Sequence, residues 1–402
     1  MPTSSLSRGV VAVLWCGLCV SCARQASVAA GPSNTPAPVH APSASAVPGS
    51  WADTTAQTPQ AQIYRAWLRY LASSGELYRR GAFMPSPYWL PSEQQQWRVY
   101  ALALSYLPDS ARAEVLSIDS TPDAEGEYRV VTLFISANEN NAMRSRSVRV
   151  TVFARGAGSG WVLANALPVL TRTWRRDTVG AITYVIEPGY AFNRGRAEQA
   201  AAFVDSLASA LGLPRIDPLT YFLASSSDEI YRIIGLETDR KWGPVGGFAQ
   251  PTNHLLFSGI PAVGEDYRHE LTHIVILPLM GRTSYFVSEG VPTWLGGTTG
   301  MDFPTAARGF ATFLRQHPNV TLDSILSGPY PVARFYPAGA VFVKLVYDQG
   351  GTNAVKALFD CGPTLTDFRA AVEHLLGRPW ASIAVDWRQL ALSFAPAPGT
   401  PP

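Results

Sequence analysis

The segment His269-Glu270-Leu271-Thr272-His273 restricts most narrowly what this chain can become. On a helix, histidines at i and i+4 leave one face about one turn apart, so both imidazoles reach a single metal ion. Glu270 lies about 100 degrees around the helix from His269, where a carboxylate can hold a proton over a metal-bound water. The chain has only 6 histidines, so chance rarely produces this spacing. The plain alternative is a pair of surface histidines on an ordinary amphipathic helix. A catalytic zinc takes three protein ligands and keeps one position open. No third histidine follows in the same run, where the chain has Ile276 and Leu279. Glu289 is the better third ligand, in Val287-Ser288-Glu289-Gly290-Val291-Pro292-Thr293-Trp294-Leu295. Ser288 is expected to cap a helix whose first turn presents Glu289 to the histidines, with Pro292 near that helix start rather than in its interior. Asp302 is a reserve ligand.

Composition excludes several other classes. The 402 residues carry 32 basic and 30 acidic side chains, a net charge of +2. That balance, without a basic stripe, argues against nucleic acid as a partner. No Gly-rich phosphate loop of the P-loop or dinucleotide type occurs, so nucleotide is not an expected partner either. The apolar fraction of 47% supports a sizeable core, and the length suggests two or three domains.

The N-terminus reads as an address. Arg8 precedes an uncharged run over 9–21, long enough for the apolar region of a secretory signal and shorter than the roughly 20 residues of a membrane span. Leu18-Cys19-Val20-Ser21-Cys22 resembles a bacterial lipoprotein box with Cys22 as the acylated residue, although Cys19 stands where leucine is usual. Ordinary cleavage after Ala23 or Ala30 is the alternative. The expected organisation is a signal over 1–22 and an Ala/Pro/Ser-rich disordered tether over 23–60, on an exported protein held to the outer membrane or cell envelope by a lipid anchor. The alternative is a secreted or periplasmic chain. Cys361 is the only cysteine outside this region, so no disulfide framework is expected.

Two folded parts follow, both of mixed α+β class. Ile63, Tyr64, Trp67, Leu68 and Leu71 recur at helical spacing over 61–73, and a second helix is expected from Ser92 through Trp97, Tyr100 and Leu104. Strands are expected over 113–118, 128–135, 147–154 and 161–167. This domain, 61–172, resembles the NTF2-like cone, in which a curved antiparallel sheet wraps a helix; it shows no catalytic cluster. From residue 181 the expected order is strand 181–186, helix 194–211 ended by Gly212, strand 219–224, a short helix over 228–234 capped by Ser226 or Ser227, and an edge strand over 248–257. The chain is then mostly helical to 395, including 366–376 and 380–392, before a disordered tail over 396–402.

The histidine segment, an apolar continuation, a turn and then Ser288-Glu289-Gly290-Val291-Pro292-Thr293-Trp294-Leu295-Gly296-Gly297 resemble the peptidase MA-like gluzincins, relatives of thermolysin. The resemblance covers 180–395. It implies a zincin-type domain in which His269, His273 and Glu289 bind Zn2+, Glu270 is the general base, and a peptide or protein is cleaved. Two departures stand out. Only 15 residues separate His273 from Glu289, and Thr293 occupies the position where thermolysin-like chains carry an acid that orients a histidine. Asp266, Asp302 or a backbone carbonyl is then expected to replace that acid. The stretch 246–257 is expected to pair with an extended substrate. Tyr336, expected just before a helix over 338–347 with Arg334 behind it, is the candidate helper for a tetrahedral oxyanion. His254, His317 and His374 read as ordinary polar histidines. The rival expectation is a non-catalytic envelope lipoprotein that keeps a zincin scaffold for binding or assembly.

Overall fold

Alternating apolar strands flanked by polar turns, followed by long amphipathic helices, produce two compact units in the computed structural model. It describes residues 47–48, 54–79, 87–93, 112–122, 124–135, 147–158, 160–216, 218–238, 247–281, 283–298, 300–362 and 364–395. The expected signal, Cys22, most of the tether, the helix through Trp97, Tyr100 and Leu104, and the 396–402 tail lie outside these residues. Among the described residues, no helix is long and apolar enough to cross a membrane. One unit comprises 31–174 with 228–243; the other comprises 175–227 and the chain from 244 onward. The expected second domain is therefore interrupted, because 228–243 belongs to the first unit.

In the first unit, helix α1 (Pro59–Arg79) runs six residues past its expected end. It buries Ile63, Tyr64, Trp67, Tyr70 and Leu71. Strands β1 (Arg112–Ser120), β2 (Glu127–Ile135), β3 (Ser147–Ala157) and β4 (Gly160–Ala164) form an antiparallel meander. The Trp67 indole donates to Thr132 Oγ1 at 2.8 Å, tying helix to sheet. The strand expected over 161–167 stops at Ala164, and helix α2 (Ala166–Leu170) follows. Pro168 falls in the first turn of α2, where its missing N–H costs nothing. The short strand Leu236–Thr238 pairs with β3 at Val148–Val150, while β4 pairs with its other end. That long-range pairing is what returns 228–243 to this unit.

Glu127 is buried opposite Arg155, which approaches it at 2.8 Å, and Arg172 at 2.6 Å. Burial alone would raise its carboxyl pKa, but the two guanidiniums outweigh that and hold it below the usual range. A carboxyl depressed by folding contributes stability above its unfolded pKa, near 4.3, and loses that contribution as pH falls through the folded value. Glu127→Gln should therefore destabilise this unit by about 1–3 kcal/mol at neutral pH, with the difference fading below about pH 4. Denaturant unfolding at pH 7 and pH 3.5 checks this; an equal loss at both values would contradict it.

The second unit is built on a five-stranded sheet. Strands β5 (Arg175–Val179), β6 (Ile182–Ile186), β7 (Leu219–Leu223), β8 (Gly247–Gln250) and β9 (Leu255–Ser258) are ordered β8-β9-β7-β6-β5. The three central strands run parallel, and β5 and β8 lie antiparallel at the edges. β5 escapes the sequence reading because Arg-Arg-Asp-Thr-Val is too polar to signal a strand; as an edge, it is largely exposed. The strand expected over 248–257 is instead a hairpin. Pro251–Asn253 form a single tight turn, and His254 at φ 50 closes it. Helix α3 (Arg194–Leu211) crosses between β6 and β7, capped by the Asn193 side chain at its start and by left-handed Gly212 at its end. Ala197, Ala200, Val204 and Leu207 on α3 share one core with Ile182, Tyr184, Leu219 and Tyr221 of the sheet.

The helical part comprises α4 (Arg268–Ile276), α5 (Tyr285–Gly296), α6 (Phe303–Gln316), α7 (Leu322–Ser327), α8 (Val332–Ala357, kinked at Gly351), α9 (Leu365–Leu376) and α10 (Trp380–Ser393). α5 and α8 cross at Gly290 and Gly339. A Cβ on Gly339 would sit 2.7 Å from the Phe286 carbonyl oxygen and 3.1 Å from the Gly290 Cα. Alanine normally favours a helix over glycine by about 1 kcal/mol. Overpacking costs about 1–3 kcal/mol, and here the obstacle is backbone that cannot swing aside. Gly339→Ala should therefore lower stability, seen as a reduced denaturant midpoint; an unchanged or higher midpoint would contradict this packing.

Candidate metal centre

His269 and His273 lie one turn apart on α4, so both rings leave the same face. Their Nε2 atoms are 3.3 Å apart. Glu289, on α5, places its Oε2 3.5 Å from each Nε2. All three residues are buried. With bonds of about 2.0–2.1 Å, the edges of a tetrahedral zinc site measure roughly 3.3–3.4 Å, so these three donors are spaced as ligands of one ion. Among the described residues, this is the one group of histidine, cysteine, aspartate or glutamate side chains able to hold a metal.

Electrostatics agree with the spacing. Burial pushes the Glu289 carboxyl up, but the adjacent imidazoles of His273 and His269 outweigh it and hold the group well below the usual carboxylate range. Its Oε2 is buried and, among the described residues, has no hydrogen-bond partner beyond the imidazoles at 3.5 Å. A buried anionic oxygen is costly unless a cation or donors meet it. An ion held by these three residues meets that need.

The local route to Glu289 differs from expectation. The capping residue is Ser284, whose side chain accepts from the Val287 amide, because Ser284 is the residue with extended backbone before the helix. Ser288 lies inside α5 and donates to the Tyr285 carbonyl at 3.0 Å. Pro292 is also in the interior, eight residues into a 12-residue helix, rather than at its start.

Glu270 faces the sheet edge. Its Oε2 accepts from the Ala249 amide of β8 at 2.8 Å, while Oε1 is buried without a partner among the described residues. Burial raises its pKa to about 7; Glu289 adds to the rise, and His269 and the Ala249 amide oppose it. A carboxyl poised there can take and return a proton near neutrality.

Tyr336 lies within α8, not ahead of it, because the helix already starts at Val332. It is buried, and its ring stacks on the His269 imidazole with centroids 5.8 Å apart and planes 8° from parallel. Its hydroxyl meets that of Tyr285 at 3.1 Å. The sequence reading missed Tyr285, although its place four residues before Glu289 puts it on the same helix face. Arg334 does not stand behind Tyr336; its guanidinium lies over the Phe313 ring at 4.8 Å.

Of the proposed replacements for the missing acid, the backbone carbonyl is the one found. The His269 Nδ1 is 2.8 Å from the Gly297 carbonyl oxygen. Asp266 pairs with Arg268, and Asp302 caps α6 by accepting from the Thr305 amide, so neither reaches the cluster. His254 closes the β8–β9 turn, and the His317 Nδ1 meets the Phe313 carbonyl at 2.9 Å. Cys361 is buried and free. The chain matches no protein-family model and no curated protein sequence.

Proposed function

We propose that the second unit is a zinc-dependent metallopeptidase of the gluzincin type, with His269, His273 and Glu289 as the zinc ligands and Glu270 as the general base. The observation that carries this reading is the convergence of three buried donor atoms, 3.3–3.5 Å apart, beside a second buried carboxyl, Glu270, held by the Ala249 amide. Zinc at such a site supplies Lewis acidity and lowers the pKa of a bound water from ~15.7 toward about 7. Glu270 would accept a proton from the attacking water as it adds to the peptide carbonyl, and would pass it to the amine as the C–N bond breaks. The Ala249 amide holds one Glu270 oxygen, which leaves Oε1 as the proton-accepting atom.

β8 is the edge strand nearest this carboxyl, which supports an extended peptide lying alongside it. Tyr336 and its hydroxyl partner Tyr285 are the candidate donors to the oxyanion. In the same reading, the first unit is an NTF2-like accessory domain and acylation of Cys22 anchors the protein at the cell envelope. Incubation of the full chain with a peptide library tests the activity. Zinc-loaded protein should cleave, chelation should stop cleavage, and added zinc should restore it. A protein that holds one zinc per chain and leaves the library intact would instead be the binding scaffold.

A further inference from the structure

Residues 289, 293 and 297 are spaced by four along α5 and its end, and the first and third meet the histidine helix. The first position supplies Glu289. The second, Thr293, is fully buried with no hydrogen-bond partner for its Oγ1 among the described residues. The third presents no side chain; the Gly297 carbonyl meets the His269 Nδ1 at 2.8 Å. Two glycines make this approach possible. A Cβ on Gly296 would lie 2.3 Å from the His269 nitrogen and 2.4 Å from the Arg268 carbonyl carbon, so α5 could not come so near α4. Gly297 has φ 75 and ψ −160, a conformation that side-chain-bearing residues avoid, and its Cβ would fall 2.0 Å from the Met301 carbonyl oxygen.

From this arrangement we infer that the Gly297 carbonyl is the positioning group for His269, doing through the main chain what an acidic side chain at 293 would otherwise do. The inference rests on the zinc reading above. A carbonyl only accepts, so the His269 Nδ1 carries the proton, and in the neutral ring Nε2 keeps the lone pair that an ion would take. The ring is thus fixed in both tautomer and direction, and no further negative charge enters the site.

Histidine-selective nitrogen-15 labelling of the full chain, with and without one equivalent of zinc, tests this. The ring of His269 is identified by its proximity to the Tyr336 ring. The expected spectrum shows zinc shifting the His269 Nε2 while its Nδ1–H persists and exchanges slowly with water. Zinc on Nδ1, or an Nδ1–H in free exchange, would overturn the inference while leaving the zinc site intact. No zinc uptake would overturn both. Gly297→Ala should also weaken zinc binding by about 10–100-fold. Gly300→Ala, in the same turn at φ 81 but without contact to His269, should bind zinc as the wild type does. Equal zinc affinity in both folded variants would overturn the assignment.

Discussion

Glu289→Ala is expected to remove the metal from this protein. The chain gathers two imidazoles from one helix and a single carboxylate from another, and only that carboxylate would bring negative charge to an ion held there. Structural zinc sites are worth about 10–16 kcal/mol in all, so one of three protein ligands accounts for roughly 3–5 kcal/mol. The variant should bind zinc about 10²–10⁴-fold more weakly and be purified with little or none. Calorimetric titration of the metal-free protein measures this directly. The protein should stay folded, because the truncation removes a buried charge rather than leaving a new one unpaired. Full zinc affinity in a folded Glu289→Ala protein would reject the ligand assignment.

Glu270→Gln is expected to separate binding from turnover. Glutamine keeps the shape of the side chain and can still accept from the Ala249 amide through its carbonyl oxygen. It cannot accept a proton. General acid–base catalysis contributes about 10²–10⁴-fold, so cleavage should fall by that factor while zinc content stays at one per chain. Loss of zinc from the variant would mean that Glu270 is a ligand rather than a base. Unchanged cleavage would remove it from the mechanism.

Legibility in the sequence followed the range of the interaction. The histidine pair and helix α3 were readable because their determinants are local: a spacing of four, Asn193 before the helix and Gly212 after it. Glu289 was readable from chemistry, since two histidines need a third donor and Ser288-Glu289-Gly290 places a carboxylate near an expected helix start. The hairpin at β8 and β9 was not, because Pro251 reads equally as an edge or bulge within one strand, and the turn at Pro251-Thr252-Asn253-His254 is flanked by apolar residues on both sides. The polar edge strand β5 lacked the apolar pattern that marks a strand, and the return of 228–243 to the first unit depends on a pairing with β3 far away in sequence. The start of α5 was misplaced because Ser284 and Ser288 are equally good caps on paper; the backbone conformation decides between them. The acceptor for His269 was the hardest to see. A main-chain carbonyl leaves no side-chain signature, and its trace here is the pair of glycines that lets it approach.

The most direct measurement is X-ray absorption at the zinc edge on the full-length, zinc-loaded protein. The account predicts one zinc per chain with two imidazole nitrogens and carboxylate or water oxygens at about 2.0–2.1 Å. An absence of tightly held zinc, or a shell made of water oxygens alone, would contradict it.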